Sequence, residues 1–596
     1  MYAQHDISQR RRLALTLVAV LAVVLSGAVA MVCTHGSDDS SAVDLDNEDL
    51  NSSESGTTGQ CQWYIRHIGG TGSDEVDRQL VVTGSGKMGD YRYYPPWGTD
   101  ITSAVIGDGV TYIGSNCFRE CDKLTTLVIG KGVTDAGRYA FSHCTALTDL
   151  TVPVSFDTNY IYGAYSEDPA IGLPFYHLER VTFTTGNSPV YNYTVNTLTP
   201  WYLSRDSLTH VEFTEGVTVI GDNTLKGCYH LSELILPSTL KRIGDGAFQN
   251  CTSLTTLQLP GNVYGIGSEA FRHCTGLTDL TIGDSVGIIG DCAFQECTGL
   301  RNVFISGEVC ELGCYAFADC SDLKTAVVGA TVIRPYAFFN CTSLTSATFL
   351  DGSVRSAGDY SFYGCTALTD LYLGDILTNI GECAFAYTGI PGIVIPSTVT
   401  SLGASAFYGC RSLTSVDMGP TLGYVPYKCF ADCPLLSQVD FGKVWAVGDY
   451  AFGWCPSLTS VALPDSVRTV GYGAFCWCTS LSNLDLGMVE SIGEFAFKGC
   501  SSLCSLTIPN AVKEIFTGAF ADCTSLEHVS FGYGLRYLEA GSFPAPFFTS
   551  DKATELTGAS ELRGHSFTMI GLRYVEDCTS LPATFDSVSA IARVSA

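Results

Sequence analysis

Cysteine is the residue type whose number and spacing most readily suggest chemistry in this sequence. The chain has 26 cysteines. Most of them recur in a series along the chain: Cys121, Cys144, Cys228, Cys251, Cys274, Cys297, Cys320, Cys341, Cys365, Cys410, Cys433, Cys455, Cys478, Cys500 and Cys523. Such a series could form disulfides, hold a metal ion or make a column of small buried side chains. The extra cysteines, such as Cys310 and Cys314, form no paired C-x-x-C or Cys/His cluster, which disfavours zinc. A small buried side chain in a narrow turn is the simplest interpretation, with bridges between successive units as the alternative.

Motifs of catalysis and of cofactor binding are either missing or out of context. The segment 84–89 (GSGKMG) matches a dinucleotide-binding fingerprint, but the segment 91–96 follows where a phosphate-binding helix should begin. Residues 44–48 are similar to a calcium loop without its glycine turn. No zinc-protease motif, nucleophile elbow or phosphate-binding loop occurs. We therefore expect no catalytic residue, no cofactor, no metal centre of high specificity and no small-molecule substrate.

The cysteines belong to a longer repeat motif that recurs through the middle of the chain. It reads approximately I-G-x-x-A-F-x-x-C-x-x-L-T-x-L-x-L-P-x-x-V, and a good copy begins at Ile243. In that copy Leu257 and Leu259 alternate with polar residues, which is the period of a strand with one buried face, and Pro260 ends the strand. One such unit is too short to bury its own apolar residues, so the units must stack. The repeat motif predicts a β-rich solenoid with a parallel sheet of short strands.

The spacing of the repeat motif sets the number of stacked units, which we call coils. From Cys228 onward the steps are mostly 23 residues, and Thr388 keeps the frame where a cysteine is missing. Leu178 and Leu208 keep the frame across two longer steps, which predict irregular coils near residues 152–208. With these three positions beside the cysteines, the sequence predicts about 18 coils.

Stacking in register places equal repeat positions in columns on the outer face of the sheet. The column before the last strand leucine supplies a candidate ligand-binding face made of Phe304, Val327, Tyr372 and Val394. Cover by loops, or ordinary scattered exposure, is the alternative. The same column places Asp417 and Asp440 one coil apart, which makes them candidate ligands for a shared cation such as calcium. An acidic strip that prevents the sheet from pairing with another chain is the alternative for the aspartates.

Charge and the N-terminal segment limit the partners and the location. The chain has 60 acidic and 32 basic residues and a net charge of -28, which argues against nucleic acid as a partner. Three arginines precede an apolar run at residues 13–33, and acidic residues follow it. This distribution of charge on the two sides of an apolar segment is the one expected for an exported protein. Residues 1–33 therefore predict a signal peptide, cleaved near residues 28–30, or an uncleaved signal anchor in the membrane. Residues 34–60 predict an acidic disordered stalk.

The combination of I-G-x-x-A-F, C-x-x-L and a following L-P resembles the BspA-like leucine-rich repeats, a family of surface proteins from microbes and protists. The resemblance covers residues 61–545. It implies a leucine-rich-repeat solenoid over residues 106–545, a β-type N-terminal cap over residues 61–105 and a short β C-terminal extension over residues 546–596.

The family resemblance implies surface exposure, adhesion to host or matrix proteins and contact with other cells. Our first hypothesis is a cell-surface or secreted binding protein that engages a protein or glycan through its outer β-face and the irregular loops near residues 155–205. The alternative is a structural rod of a surface layer that self-associates or binds divalent ions. Neither hypothesis makes the protein an enzyme.

Overall fold

The computed structural model describes residues 54–68, 77–156, 175, 177–186, 204–532, 534–539 and 541–544, together with the backbone of 568–570. Every regular element in these ranges is a β-strand. No helix in the described part of the chain has the length and apolar character needed to cross a bilayer. The export segment predicted at residues 1–33 and most of the stalk predicted at residues 34–60 lie outside the described residues.

The strands are short and follow one another along the whole described chain. The first group is β1 (Ser55–Thr58), β2 (Cys61–Ile68), β3 (Asp77–Gly84), β4 (Gly86–Lys87), β5 (Ser103–Ile106), β6 (Val110–Ile113), β7 (Thr126–Ile129), β8 (Asp135–Ala136), β9 (Asp149–Pro153) and β10 (Arg180–Thr184). The second group is β11 (His210–Phe213), β12 (Val219–Ile220), β13 (Glu233–Ile235), β14 (Arg242–Ile243), β15 (Gly265–Ile266), β16 (Asp279–Ile282), β17 (Ile288–Ile289), β18 (Asn302–Ile305), β19 (Glu311–Leu312) and β20 (Thr325–Val328).

The second half continues the same alternation of longer and two-residue strands. The third group is β21 (Val332–Ile333), β22 (Ser346–Phe349), β23 (Ser356–Ala357), β24 (Asp370–Tyr372), β25 (Asn379–Ile380), β26 (Gly392–Val394), β27 (Ser401–Leu402), β28 (Ser415–Asp417), β29 (Tyr424–Val425) and β30 (Gln438–Asp440). The last group is β31 (Ala446–Val447), β32 (Ser460–Ala462), β33 (Thr469–Val470), β34 (Asn483–Asp485), β35 (Ser491–Ile492), β36 (Ser505–Ile508), β37 (Glu514–Ile515), β38 (His528–Phe531), β39 (Tyr537–Glu539) and β40 (Thr568–Ile570).

These strands form two sets of ladders, which are parallel except for the antiparallel pairs β1-β2 and β2-β3, because most coils contribute one strand to each set. The long-strand face comprises the sheets β1-β2-β3-β5-β7-β9-β10-β11-β13, β16-β18-β20-β22-β24, β26-β28-β30, β32-β34 and β36-β38. The short-strand face comprises the sheets β4-β6-β8, β12-β14-β15-β17-β19-β21-β23-β25-β27 and β29-β31-β33-β35-β37-β39-β40. The turn segment that leads from each short strand to the column cysteine forms a third side, which we call the turn face. The predicted parallel solenoid of about 18 coils is confirmed.

The core is a set of stacked columns, as the repeat requires. The Phe of each I-G-x-x-A-F copy lies on the Phe of the next: the rings of Phe248 and Phe271 are 5.1 Å apart and those of Phe271 and Phe294 are 5.2 Å apart, in nearly parallel planes. These rings are fully buried, together with the alanines beside them and the leucines that follow the cysteines. The coils therefore share one continuous core, in which each buries the apolar face of its neighbour.

Aspartate side chains tie the turn of one coil to the next. The Asp245 carboxylate accepts the N–H of Ser268 at 2.9 Å, and the N–H of Asp245 is donated to Asp222 Oδ1 at 2.9 Å. Asp291 and Asp359 accept the N–H of the corresponding residue in their next coils in the same way. Since hydrogen bonds to an ionised acceptor are stronger than neutral ones, this ladder holds the coils in register.

The N-terminal boundaries differ from the prediction. Strand β1 lies within the range assigned to the stalk and pairs antiparallel with β2, so the folded part begins before residue 60. Strand β3 already pairs in parallel with β5, and β4 with β6. The solenoid therefore begins inside the range 61–105, because the second strand of the cap hairpin also serves as a strand of the first coil. In the C-terminal range 546–596, only the backbone of β40 is described, and it adds a parallel strand to β39.

The long-strand ladder is not uniform. The segment 254–259, from which the strand period was read, forms only an isolated bridge from Thr256 to Asp279. Its burial pattern still alternates over residues 256–259, with Leu257 buried and Leu259 half-buried, and with Thr256 and Gln258 exposed. Pro260 has no N–H, so the ladder cannot extend through this residue. The alternation of buried and exposed positions is therefore confirmed for this coil, and the regular strand predicted there is wrong.

Candidate binding surfaces

The long-strand face places three of the four predicted apolar residues in one row. Parallel register sets Phe304 beside Val327, Val327 beside Thr348, and Thr348 beside Tyr372. All four side chains are half-buried. The Tyr372 hydroxyl donates a hydrogen bond to Asp351 Oδ1 at 2.7 Å, which fixes the ring on the surface. The row therefore presents an apolar strip with one polar member.

Val394 does not continue this row in the same sheet. It lies in β26, which starts a new sheet, and it is paired with Asp417. At this break Pro391 occupies the position at which Thr369 donates its N–H to Thr345 O in the preceding coil, and proline has no N–H to donate, so one hydrogen bond of the ladder is lost. Val394 is highly exposed, at 63%. The four residues predicted as one face therefore divide into a row of three and a separate residue next to an acidic one.

The predicted pair of aspartates is brought together. The register sets Asp417 directly beside Asp440. Asp417 accepts the N–H of Gly419 at 2.8 Å and Asp440 accepts the N–H of Gly442 at 2.9 Å, so one oxygen of each carboxylate is engaged in its own turn. Within the ranges that the structure describes, no group of three or more His, Cys, Asp or Glu side chains is placed to hold a metal ion. Cation binding by this pair stays a prediction.

The cysteine column has a polar role as well as a packing role. Phe248 O accepts the N–H of Cys251 in its own coil at 3.2 Å, and it accepts the thiol of Cys274 from the next coil, also at 3.2 Å. The same thiol-to-Phe bond recurs in later coils, for example from Cys297 to Phe271 O. Burial raises the pKa of Cys297 to about 12, so this thiol stays a protonated donor at neutral pH.

Thr388, which replaces the cysteine in one coil, shows the same preference for a carbonyl partner. Its hydroxyl donates to Phe385 O in its own coil at 2.8 Å, and the Cys410 thiol donates to that carbonyl from the next coil at 3.2 Å. Cys61, outside the column, donates to Gly86 O at 3.6 Å. A hydroxyl can therefore serve at this position, because the column needs a small side chain with a hydrogen-bond donor.

The turn face carries a group of aromatic residues, four exposed and two (Tyr450 and Phe495) half-buried, that the sequence reasoning missed. This aromatic surface consists of Tyr427, Tyr450, Trp454, Tyr472, Trp477 and Phe495. Ring contacts connect Tyr427 to Tyr450, Tyr450 to Tyr472, and Tyr472 to Phe495 at 6.2, 5.1 and 5.5 Å, in each case with one ring edge against the other face. The indole of Trp454 stacks on Tyr450 at 5.4 Å. The two tryptophans remain 40% and 43% exposed.

Two features of the backbone position these rings. The residue before Ala-Phe and the residue before the cysteine adopt positive φ in most coils, as at Tyr450 and Trp477, and this turns their side chains outward. A glycine often follows at the same position one coil later. A Cβ on Gly473 would lie 2.6 Å from the Tyr450 ring, and one on Gly499 would lie 2.6 Å from the Trp477 ring. The rings of Tyr450, Trp477 and Phe495 therefore lie over glycines. Aligning the turn positions of successive coils would have revealed this group from the sequence.

Comparison with known proteins identifies the repeat. The sequence model of the family described as the BspA type leucine-rich repeat region matches six copies, at residues 87–167, 199–324, 331–446 and 445–552, which together make up more than half of the chain. No curated protein sequence matches the chain.

Several solved structures are similar. A leucine-rich repeat protein from Bacteroides ovatus is 23% identical and covers 75% of this chain and 94% of its own, with a TM-score of 0.41. A leucine-rich cell surface protein from Faecalibacterium prausnitzii is 26% identical and covers 54% and 86%, with a TM-score of 0.32. The pneumococcal vaccine antigen PcpA is 15% identical and covers 70% and 92%, with a TM-score of 0.30.

Proposed function

The chain belongs to the BspA-type leucine-rich repeat family, and from this membership we propose that it is an exported, surface-displayed protein that binds a protein or glycan of another cell or of a matrix. Leucine-rich repeat solenoids typically serve as binding scaffolds without enzymatic activity. Their function depends on the side chains that particular coils display, since the fold itself accommodates many partners. We propose residues 1–33 as the export segment, which leaves the repeats outside the membrane.

The observation that carries this proposal is the row Phe304, Val327 and Tyr372 on the solvent side of the long-strand face, in which Phe304 and Val327 are adjacent and Thr348 separates Val327 from Tyr372. Adjacent apolar and aromatic side chains on a rigid sheet supply the central contacts of many protein interfaces. The buried core beneath the row fixes its backbone, so little ordering entropy is lost on binding. The row is therefore preorganised for a partner surface of complementary shape.

Binding to a panel of purified matrix proteins and glycans tests the proposal. We expect capture of at least one member, and we expect the double variant Phe304→Ala/Tyr372→Ala to weaken that binding by about tenfold or more. The matched control is Thr507→Ala/Ser530→Ala, a register pair in the same column on β36 and β38, which lies several coils from the row and should bind like the parent. No binding to any panel member would contradict the function, and equal binding by the double variant would contradict the location.

The paired aspartates favour the second candidate, a surface-layer rod that self-associates with divalent ions. Asp417 and Asp440 lie in register on the long-strand face, and a cation between them would relieve their repulsion. Light scattering with and without calcium separates the two functions. Calcium-driven assembly that Asp417→Asn/Asp440→Asn abolishes would support the rod, and a monomer under both conditions would contradict it.

A further inference from the structure

The aromatic surface on the turn face is separate from the row on the long-strand face and has its own pattern of charge. Along the position two residues before Ala-Phe, which is Cys429-Phe430 in the first of these coils, successive coils carry Tyr427, Asp449, Tyr472 and Glu494. Along the position before the cysteine they carry Asp432, Trp454 and Trp477. Since neighbouring coils are about 4.8 Å apart, each ring in these columns has a carboxylate or a second ring one coil away.

The lysines of this surface already occupy ring faces. The Lys428 ammonium lies 5.1 Å from the centre of the Tyr427 ring and 5.7 Å from that of Tyr450. The Lys498 ammonium lies 5.2 Å from the Phe495 ring and 3.7 Å from the Asp522 carboxylate. These contacts show that the rings accept cations in this geometry. Trp454 packs on Tyr450 and Trp477 packs over Gly499, and the parts of these indoles that stay exposed are further surfaces for a cation. Tryptophan is the most favourable ring for that contact.

The surrounding charge selects the sign of a partner. Asp449 is exposed, and its Oδ1 accepts the backbone N–H of Tyr472 at 2.8 Å, which fixes this carboxylate on the turn that carries Tyr472. Glu494 is exposed in the next coil. The chain as a whole carries a net charge of -28, so its field attracts cationic partners and repels anionic ones. Aromatic faces with carboxylates beside them are complementary to guanidinium and ammonium groups.

We propose that the aromatic surface binds an arginine- or lysine-rich segment of a protein partner, whose cationic side chains stack on Trp454 and Trp477 and pair with the neighbouring carboxylates. A neutral glycan would use the rings and leave the charge pattern without a role. A nucleic acid would be repelled. The site is independent of the long-strand row, so it adds a second contact surface to the proposed binding function.

Fluorescence anisotropy with two labelled peptides tests this inference on the folded protein. One peptide alternates arginine and serine, and the other has glutamine in place of each arginine. We expect the arginine peptide to bind and the glutamine peptide not to bind. Trp454→Ala/Trp477→Ala should weaken binding by about tenfold or more. Tyr264→Ala, which removes a more exposed ring that immediately precedes β15 in a distant coil, should leave binding unchanged.

A charge variant keeps the test informative if the tryptophan variant loses stability. Asp432→Asn/Glu494→Gln leaves the six rings in place, and it should weaken binding and reduce its dependence on salt. Equal affinity of the parent and the tryptophan variant, with matching thermal melts, would overturn the proposal, because the general acidic field would then explain binding. Binding of neutral oligosaccharides in preference to the arginine peptide would overturn it as well. So would a dimer that the tryptophan variant converts to a monomer.

The same measurement separates this inference from the proposed function. Phe304→Ala/Tyr372→Ala should retain affinity for the arginine peptide, since those residues lie on another side of the solenoid. Loss of matrix binding in that variant with unchanged peptide binding would support both surfaces. Failure of peptide binding in the parent would refute the aromatic surface alone.

Discussion

At the scale of single residues, the column cysteines show how one side chain meets two requirements. Their sequence spacing predicts a small buried group, and the structure confirms the burial. The carbonyl that each thiol contacts has two acceptor sites, one of which is taken by a backbone N–H of its own coil. A valine or alanine would fill the space without supplying the second donor. The thiol was predictable as packing, and its hydrogen bond was not, because the partner carbonyl belongs to another coil.

Alkaline pH should destabilise the fold through this column. Burial raises the pKa of Cys297 to about 12, whereas an unfolded cysteine titrates near pH 8.5. The protonated thiol is therefore favoured in the folded state, and its stabilising effect is fully present below about pH 8.5 and is lost as pH rises toward about 12. Urea unfolding under reducing conditions should show a free energy of unfolding that falls across this window.

The variant Cys297→Ala isolates the contribution of one thiol from other groups that titrate at alkaline pH. Its free energy of unfolding should fall less steeply with pH than that of the parent, by up to about 1.4 kcal/mol per pH unit. Parallel pH profiles for the two proteins would contradict the assignment of this effect to the buried thiol.

At the scale of elements, the turn segment determines which side chains reach solvent. Positive φ at two positions per coil turns those residues outward, and a glycine one coil later receives the ring. The I-G-x-x-A-F motif shows that a turn is present, but it does not show that its variable positions align with those of the next coil. The long-strand positions were easier to predict, because strand alternation alone assigns them to the outer face.

Gly473→Ala should destabilise the protein by about 2 kcal/mol. The residue has φ of 57°, and an added Cβ would lie 2.6 Å from the Tyr450 ring, so the ring must move. Chemical unfolding measures the change. The control is Gly265→Ala, at a strand position where nothing lies within 4 Å of the added carbon; it should be neutral or slightly stabilising. Equal effects of the two substitutions would refute the ring-over-glycine packing.

At the scale of the whole molecule, stability comes from contacts between neighbouring coils. The Phe rings, the aspartate ladder and the thiol bonds each join one coil to the next. Stability is then a sum of coil and interface terms, and coils can be added or removed in whole units. The longer steps near residues 152–208 show the same property, since β9, β10 and β11 pair in register across them.

Deletion of residues 275–297, one complete period, should leave a folded solenoid, because Thr298 then follows Cys274 and the repeat motif stays intact. Deletion of residues 275–286 removes about half a coil and should abolish cooperative unfolding, because it joins a strand to the wrong side of the core. Circular dichroism during thermal melting measures both. Similar melts for the two deletions would contradict a structure built from register-matched coils.

The sequence by itself determined the repeat, the parallel β-solenoid, the buried columns and the side of the sheet on which Phe304, Val327 and Tyr372 lie. It could do so because stacking in register converts a period in one dimension into a column in three. Only the tertiary structure decided where that column is interrupted. Pro391 lacks the N–H that the corresponding residue of the preceding coil donates to its neighbour, and this pairing of coils is not visible in the sequence. The tertiary structure likewise decided which turn side chains meet, because residues about 23 positions apart become neighbours only when the coils are stacked.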